Sequence, residues 1–318
     1  MIHKGWRRFK PHTLPLRQAE QMGREVDIYT RVEIRLGLVG IRKKLWRVRD
    51  PAELNNIADT AKSQAKSLDS QNVSLEIRAE AWLYALALQA PRAAKAQQEM
   101  DKHPHGYSDK NARLYELIDF NDTFVATVLT LPVGYADGFV EMAKQLMDKF
   151  CRQAAARCFS NQQYEAIVHG LSREIAVYRG AVEQGFAAEM TPRSVDALGV
   201  DMVISDTEKN IGVNIDVKTR SSYHYRLLDL MHEGRIDQWR VENGERQGFC
   251  PVVNEHDNGA VLVYLLRIDH AEIGEIRNFS FVDSSKLGDI LRVIVDDALS
   301  SMDSADSGEY QTPSRHPR

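Results

Sequence analysis

The sequence predicts an α/β C-terminal half, a mixed sheet flanked by helices, preceded by an all-α N-terminal half. Three observations predict it. Residues 51–159 are rich in Ala, Leu, Glu, Lys and Gln, the residues that lose least on entering a helix. From about residue 186 the chain changes to short Val- and Ile-rich runs separated by turn residues, at 186–191, 199–205, 211–219, 260–268 and 278–283. Helical patterns stand before and after those runs, at about 162–184 and 284–300. The change of character sets the expected boundary near residue 160. It gives a helical domain over 1–160, an α/β domain over 161–300 and a polar, disordered tail over 301–318.

The helices are read in order. Asp50 is placed to cap a helix that starts at Pro51, since proline suits the first helical position. SLEIRAEAWLYALAL (74–88) is a second helix, and Pro91 opens a further short one. KHPHGYSD (102–109) reads as a loop. Helices follow over 111–131 and 134–159, with Pro132 and Gly134 between them. The last helix, capped by Asp283 or Ser284, is expected to bury Leu287, Ile290, Leu291, Ile294 and Val295. The polar stretch 220–259 is ambiguous: a helix around YRLLDLMHEG and a mobile loop around ENGERQGF.

Composition narrows the class. The chain has 318 residues, 43% hydrophobic and 27% charged, enough apolar material for a packed core. No apolar run approaches the length of a membrane span. MIHKGWRRFKPH has no apolar stretch behind its charges, so no secretory signal is expected. Cys151, Cys158 and Cys250 suggest neither a disulfide framework nor a zinc site, which fits a reducing compartment, the cytoplasm first. Residues 1–50 carry 13 Lys and Arg against five acids, leaving the rest of the chain at −12. Such a basic segment suits phosphate groups, with Trp6 and Trp46 available for stacking. The alternative is a solvated helix face with a flexible arm, the tryptophans serving as core anchors.

Within the strands, polar residues fall where burial does not call for them. Side chains alternate across a strand. In 211–219, Ile211, Val213, Ile215, Val217 and Thr219 therefore share one face. Gly212, Asn214, Asp216 and Lys218 share the other, so Asp216 and Lys218 are neighbours on one surface. SDTEKNIG (205–212) suits a hairpin that lays 199–205 beside 211–219 and brings Asp201 close to Asp216. Two carboxylates meeting there repel unless a cation joins them, and Mg²⁺ takes oxygen ligands of this kind. On the preceding helix, Ile167, Leu171, Ile175, Tyr178 and Val182 form an apolar stripe. Glu174 lies at its edge, and Glu183 faces water. Taken singly, Asp216 with Lys218 reads as a surface ion pair and Glu174 as a rim residue.

Together, a helix acid, a hairpin acid and an acid-x-Lys in a strand resemble the PD-(D/E)XK nuclease superfamily, the restriction-endonuclease-like fold. The resemblance covers roughly 165–268. GLSREIAVYRGAVEQGF looks like the first helix of that fold, with Glu174 as its acid. VDALGVDMVI supplies Asp201, and NIDVKTR supplies Asp216-Val217-Lys218. Val200 stands where the name-giving proline would be. The resemblance implies that Asp201, Asp216, the Val217 carbonyl and Glu174 hold Mg²⁺ or Mn²⁺. It implies that Lys218 orients or helps deprotonate the attacking water, and that the substrate is a nucleic acid, DNA before RNA.

Other residues are weaker candidates. Asp196 and Asp206 read as turn residues, Lys209 and Arg220 as solvated strand ends. Gln238 is a candidate on a helix after the motif. His224, His232 and His256 lack a metal-ligand spacing. Cys151 and Cys158, seven apart on an expected helix, read as core. The expected function is a metal-dependent nuclease whose helical half binds substrate, a protein partner or a second copy of the chain. The alternatives are a catalytically silent nucleic-acid-binding or assembly subunit of the same fold, and an RNA-cleaving nuclease.

Overall fold

The computed structural model describes residues 51–71, 73–102, 110–131, 138–153, 155–191, 199–256 and 259–306. The basic segment 1–50, with Trp6, Trp46 and the Asp50 cap, lies outside them, as do Asp196 and most of the loop expected over 102–109. The chain divides into two compact units. Among the described residues, one holds those up to Ala176 with Thr191 and 276–280; the other holds 177–190, 199–275 and 281–306. The division falls inside a helix rather than near residue 160.

The first unit is helical. It contains α1 (Pro51–Asp69), α2 (Leu75–Asp101), α3 (Lys110–Thr130), α4 (Phe139–Gln153) and the first part of α5 (Asn161–Glu183). Helix α2 packs against α1, α3 and α4. Its Trp82 is fully buried, and the indole N–H donates to Asp69 at 3.0 Å. Among α1, α2 and α3 lies a partly buried set of charges, with Asp59 at its exposed end. Lys62 reaches Asp119 at 2.9 Å and Asp122 at 3.4 Å, and Arg92 reaches Asp59 at 3.1 Å. Burial pushes the Asp122 carboxyl up and the Lys66 ammonium down from their ordinary values.

Two expectations for this unit are corrected. Pro91 does not open a new helix: it sits inside the 27 residues of α2. An interior proline costs a helix about 3 kcal/mol. Here Ala87, Ala90, Ala93 and Ala94 around it are wholly buried, so tertiary packing holds the helix through the break. Helix α4 ends at Gln153, not at 159. Ala155 turns the chain at φ 50°, and the Ala156 N–H returns to the Cys151 carbonyl at 2.8 Å. Phe159 is thereby buried against Phe120, with ring centroids 5.0 Å apart. Cys151 and Cys158 thus flank a turn rather than share a helix. The three cysteines are unbridged.

The second unit is a five-stranded mixed sheet with helices. It contains the end of α5, then β1 (Ala187–Met190), β2 (Met202–Asp206), β3 (Ile211–Thr219), α6 (Arg220–His232), α7 (Gln238–Gln247), β4 (Phe249–His256) and β5 (Gly259–Ile268). The strand order is β1-β2-β3-β5-β4. Strands β1, β2 and β3 form an antiparallel meander; β5 is parallel to β3, and β4 is antiparallel to β5. A hairpin of β6 (Ile276–Arg277) and β7 (Ser280–Phe281) replaces the strand expected over 278–283. Asn278 and Phe279 turn it at φ 52° and 61°. Helix α8 (Ser285–Asp306) closes the described chain. Residues 301–306 are therefore helical, not part of a disordered tail.

The alternation expected for β3 holds. Ile211, Val213, Ile215 and Val217 are buried, and α8 packs against that strand with Leu287, Leu291, Ile294 and Val295 wholly inside. Ile290 is only half-buried, at the margin of the apolar stripe. The opposite face lies under α6, which packs on β3 and β5. The stretch around ENGERQGF is not a loop. It forms α7, begun by Asp237 accepting from the Arg240 N–H at 2.8 Å and ended by Gly248 at φ 78°. Gly244 lets this helix lie close: a Cβ there would sit 3.0 Å from the Tyr223 hydroxyl and 3.1 Å from Cys250.

Strand β4, hidden in the ambiguous stretch, forms one border of the sheet. The Arg267 N–H donates to the Gly248 carbonyl, so even-numbered residues of β4 face β5 and the carbonyls of Pro251 and Val253 face outward. Arg240 donates to the first and Arg235 to the second, at 2.6 Å for Arg235.

Candidate functional site

The hairpin brings the two acids together. Met202 faces Ile215, and the Asp201 N–H donates to the Ile215 carbonyl at 2.9 Å. Ile215 thus meets both Met202 and Asp201, a bulge at the start of β2 that leaves Asp201 beside the Val217 N–H rather than in the regular ladder. The turn itself is built by Asp206, whose carboxylate accepts from the N–H groups of Glu208 and Lys209 at 3.0 Å, and by Asn210 at φ 53°.

Each carboxylate has a definite partner. Asp201 Oδ2 accepts from the Val217 backbone N–H at 2.6 Å. Asp216 is buried, and its Oδ1 pairs with the ammonium of Lys218. Neighbouring carboxylates repel, and these donors offset the repulsion without removing either acid. Lys218 in turn stands opposite Arg267 on β5. That second cation has its own carboxylates, Glu245 at 2.6 Å and Glu272 at 2.8 Å, and lies over the Tyr223 ring.

The donor set fits a hard divalent cation. It consists of carboxylate oxygens from Asp201 and Asp216, and of the Val217 carbonyl. In an extended strand the N–H and C=O of one residue point to the same side. Since the Val217 N–H points at Asp201, its carbonyl faces that same border. Gly199, at φ 77°, leaves space beside Asp216: a Cβ there would stand 3.8 Å from Asp216 Oδ2 and 3.2 Å from Asn254 Nδ2. Among the described residues no group of three or more His, Cys, Asp or Glu side chains is arranged to hold a metal ion. Two carboxylates suit Mg²⁺, which keeps water and substrate oxygens for its remaining positions.

The remaining sequence candidates are placed as follows. Glu174 is half-buried on α5 and belongs to the first unit, whereas Asp201, Asp216, Val217 and Lys218 belong to the second. Glu183 is exposed and accepts from the Ser284 hydroxyl. Lys209 pairs with Asp296 at 2.7 Å and Arg220 with Asp269 at 3.1 Å. Gln238, at the start of α7, is exposed and bonds Glu242. His224 meets Glu245 at 2.8 Å; His232 is exposed at the end of α6.

Sequence reasoning missed Gly199, Asn254 and Arg235. A glycine just before VDMVI was the available signal for the first. The other two became visible only once β4 was placed. Comparison with family models, curated proteins and solved structures yields no match.

Proposed function

We propose that this chain is a metal-dependent nuclease that hydrolyses phosphodiester bonds in DNA, a nuclease of the PD-(D/E)XK kind. The observation that carries the reading is the juxtaposition of Asp201 with Asp216-Val217-Lys218 across the hairpin, through the 2.6 Å bond from the Val217 N–H to Asp201. The element order supports it: helix, three-stranded antiparallel meander, helices, then a border strand followed by a strand parallel to the third. That is the order expected of the restriction-endonuclease-like fold.

Asp201 and Asp216, with the Val217 carbonyl, would hold Mg²⁺ or Mn²⁺. The bound metal supplies Lewis acidity and lowers the pKa of a coordinated water. Lys218, held on Asp216, is placed to donate to the attacking water or to the phosphate oxygens as negative charge builds on them. Arg267, neutralised by Glu245 and Glu272, keeps those acids from competing for Lys218. The water oxygen adds to phosphorus, one P–O ester bond breaks, and the leaving oxygen takes a proton. The decisive experiment incubates the protein with plasmid, linear duplex, single-stranded DNA and RNA, with Mg²⁺ or Mn²⁺ and with chelator. Metal-dependent loss of DNA supports the reading; intact DNA under all conditions rejects it. Preferential loss of RNA would make it a ribonuclease.

One observation favours a second reading, a silent nucleic-acid-binding or assembly subunit. Asp216 is already paired with Lys218, as a purely structural ion pair would be. Binding of DNA with no cleavage at any metal concentration would favour it. Among the described residues no helix is long and apolar enough to cross a membrane, and the proposal places the protein in the cytoplasm.

A further inference from the structure

We propose that Cys151 and Cys158 form a redox-modification site, where a peroxide oxidises Cys158 and the buried Cys151 then closes a reversible disulfide across the turn that ends α4. Both residues belong to the helical unit, and their chemistry does not depend on a nuclease activity.

The turn folds the chain back on itself. The Ala155 N–H donates to the Arg152 carbonyl at 3.3 Å and the Ala156 N–H to the Cys151 carbonyl at 2.8 Å. With Ala155 in the left-handed region at φ 50°, these are the paired bonds that reverse a chain at a helix C-terminus. Phe159, buried with its ring 5.0 Å from that of Phe120, holds the returning chain on the helices. The two sulfurs meet across this reversal, where Cys151 and Cys158 share a hydrogen bond.

Their surroundings divide the work. Cys151 is wholly buried, whereas Cys158 is half-buried beside the exposed Arg157. Packing accounts for the buried sulfur but not for a second one at the surface against it. The hydrogen bond to Cys158, and then burial, push the Cys151 thiol up from its ordinary value. Cys151 therefore keeps its proton, and Cys158 is the sulfur that an oxidant from solution reaches.

The Cys158 thiolate attacks one peroxide oxygen and the O–O bond breaks. Cys158 becomes a sulfenic acid, and the departing hydroxide takes up a proton to leave as water. Oxidation also removes the contact that held the Cys151 proton, and leaves that thiol beside an electrophilic sulfur. The Cys151 sulfur attacks it, the S–O bond breaks, and the hydroxide leaves as water with the Cys151 proton. Two thiols and one hydrogen peroxide give one disulfide and two waters, the sulfurs losing two electrons and the peroxide gaining them. A dithiol reverses the bond by exchange, which suits a transient signal in the cytoplasm proposed above.

The test treats the full chain with hydrogen peroxide, alkylates the remaining thiols after unfolding without reduction, and maps the peptides by mass spectrometry. Most of the protein should carry a Cys151–Cys158 link with the loss of two hydrogens, removed by dithiothreitol. Cys250, buried on β4, should be recovered alkylated. Cys250→Ser should link as the parent does, and Cys158→Ser should abolish the link and leave Cys151 a thiol. Cys151→Ser should let Cys158 run on to the sulfinic acid. Thermal unfolding of the linked protein should shift up by several degrees and return on reduction, since a bond that fits the native turn constrains only the unfolded chain. A parent in which Cys158 is over-oxidised or untouched while Cys151 stays a thiol overturns the proposal. A link to Cys250 or between two chains, seen on a non-reducing gel, overturns it too, as does a linked protein that unfolds no higher than the reduced one. If Cys151→Ser does not fold, the peptide map of the parent alone decides.

Discussion

The backbone N–H of Val217 donates to Asp201 Oδ2 at 2.6 Å. An acid on one side of the hairpin is thereby tied to the peptide between the acid and the lysine on the other. Asp201→Asn keeps the size of the side chain and removes its charge. It should slow cleavage by about 10²–10³-fold, the scale for losing one preorganised electrostatic group. The Asn oxygen can still accept from the Val217 N–H, so only the charge assistance is lost, at a cost of about 1 kcal/mol of stability. Single-turnover cleavage beside urea unfolding checks both; parental cleavage by a folded variant removes Asp201 from the site.

Lys218 and the acids should separate in a metal titration. Asp216→Ala and Asp201→Ala should lose Mn²⁺ binding and cleavage together. Lys218→Ala should lose most cleavage yet bind Mn²⁺ at least as well as the parent, since a neighbouring positive charge is gone. Calorimetric titration of Mn²⁺ into each variant is the measurement. Equal loss of affinity in Lys218→Ala, with its fold intact, would refute the division of roles.

The buried charges of the helical unit give a pH prediction. Burial raises the Asp122 carboxyl above its ordinary value of 3.8. The folded state therefore binds this proton more tightly than the unfolded state does. Asp122 then opposes folding increasingly as pH rises from about 3.8 through the folded-state value. Asp122→Asn removes that dependence while Asp119 still pairs with Lys62. Its stability relative to the parent should rise with pH across this window and level off above it. Urea midpoints for both proteins, measured from acid to neutral pH, decide the matter; a constant difference counts against it.

Charge reversal of Arg42, Lys43 and Lys44 tests the basic N-terminal segment. If these residues neutralise phosphates, DNA affinity should fall. The log–log salt slope should shrink by about 0.9 for each phosphate that is no longer neutralised. An unchanged slope means that those charges are a solvated surface.

The Asp201–Asp216 pair was legible because strand alternation and a turn-forming octapeptide act locally. Both depend on neighbours within a few residues, as does the Asp206 turn. Strand β4 was not legible, since FCPVVNEH carries Pro251 and Asn254 and its pairing with β5 is set from outside the segment. With β4 missing, Asn254 and Arg235 had no position. The α7 helix was hidden for a related reason. Its Asn243 and Gly244 are poor helix formers, tolerated because Gly244 allows close approach to Tyr223 and Cys250. Pro91 misled in the opposite direction: a strong local stop is overridden by burial on both sides.

A border strand whose outward groups are free is a template on which identical chains can stack into a ladder. Over its middle residues β4 gives such a stack little to hold. Pro251 has no N–H to donate, and the outward carbonyls of Pro251 and Val253 already accept from Arg240 and Arg235. A second copy approaching this border could donate to neither of these carbonyls without displacing a guanidinium group. Self-association of this protein by fibril-like strand addition is therefore disfavoured here, and removing both arginines together is the change most able to open that route.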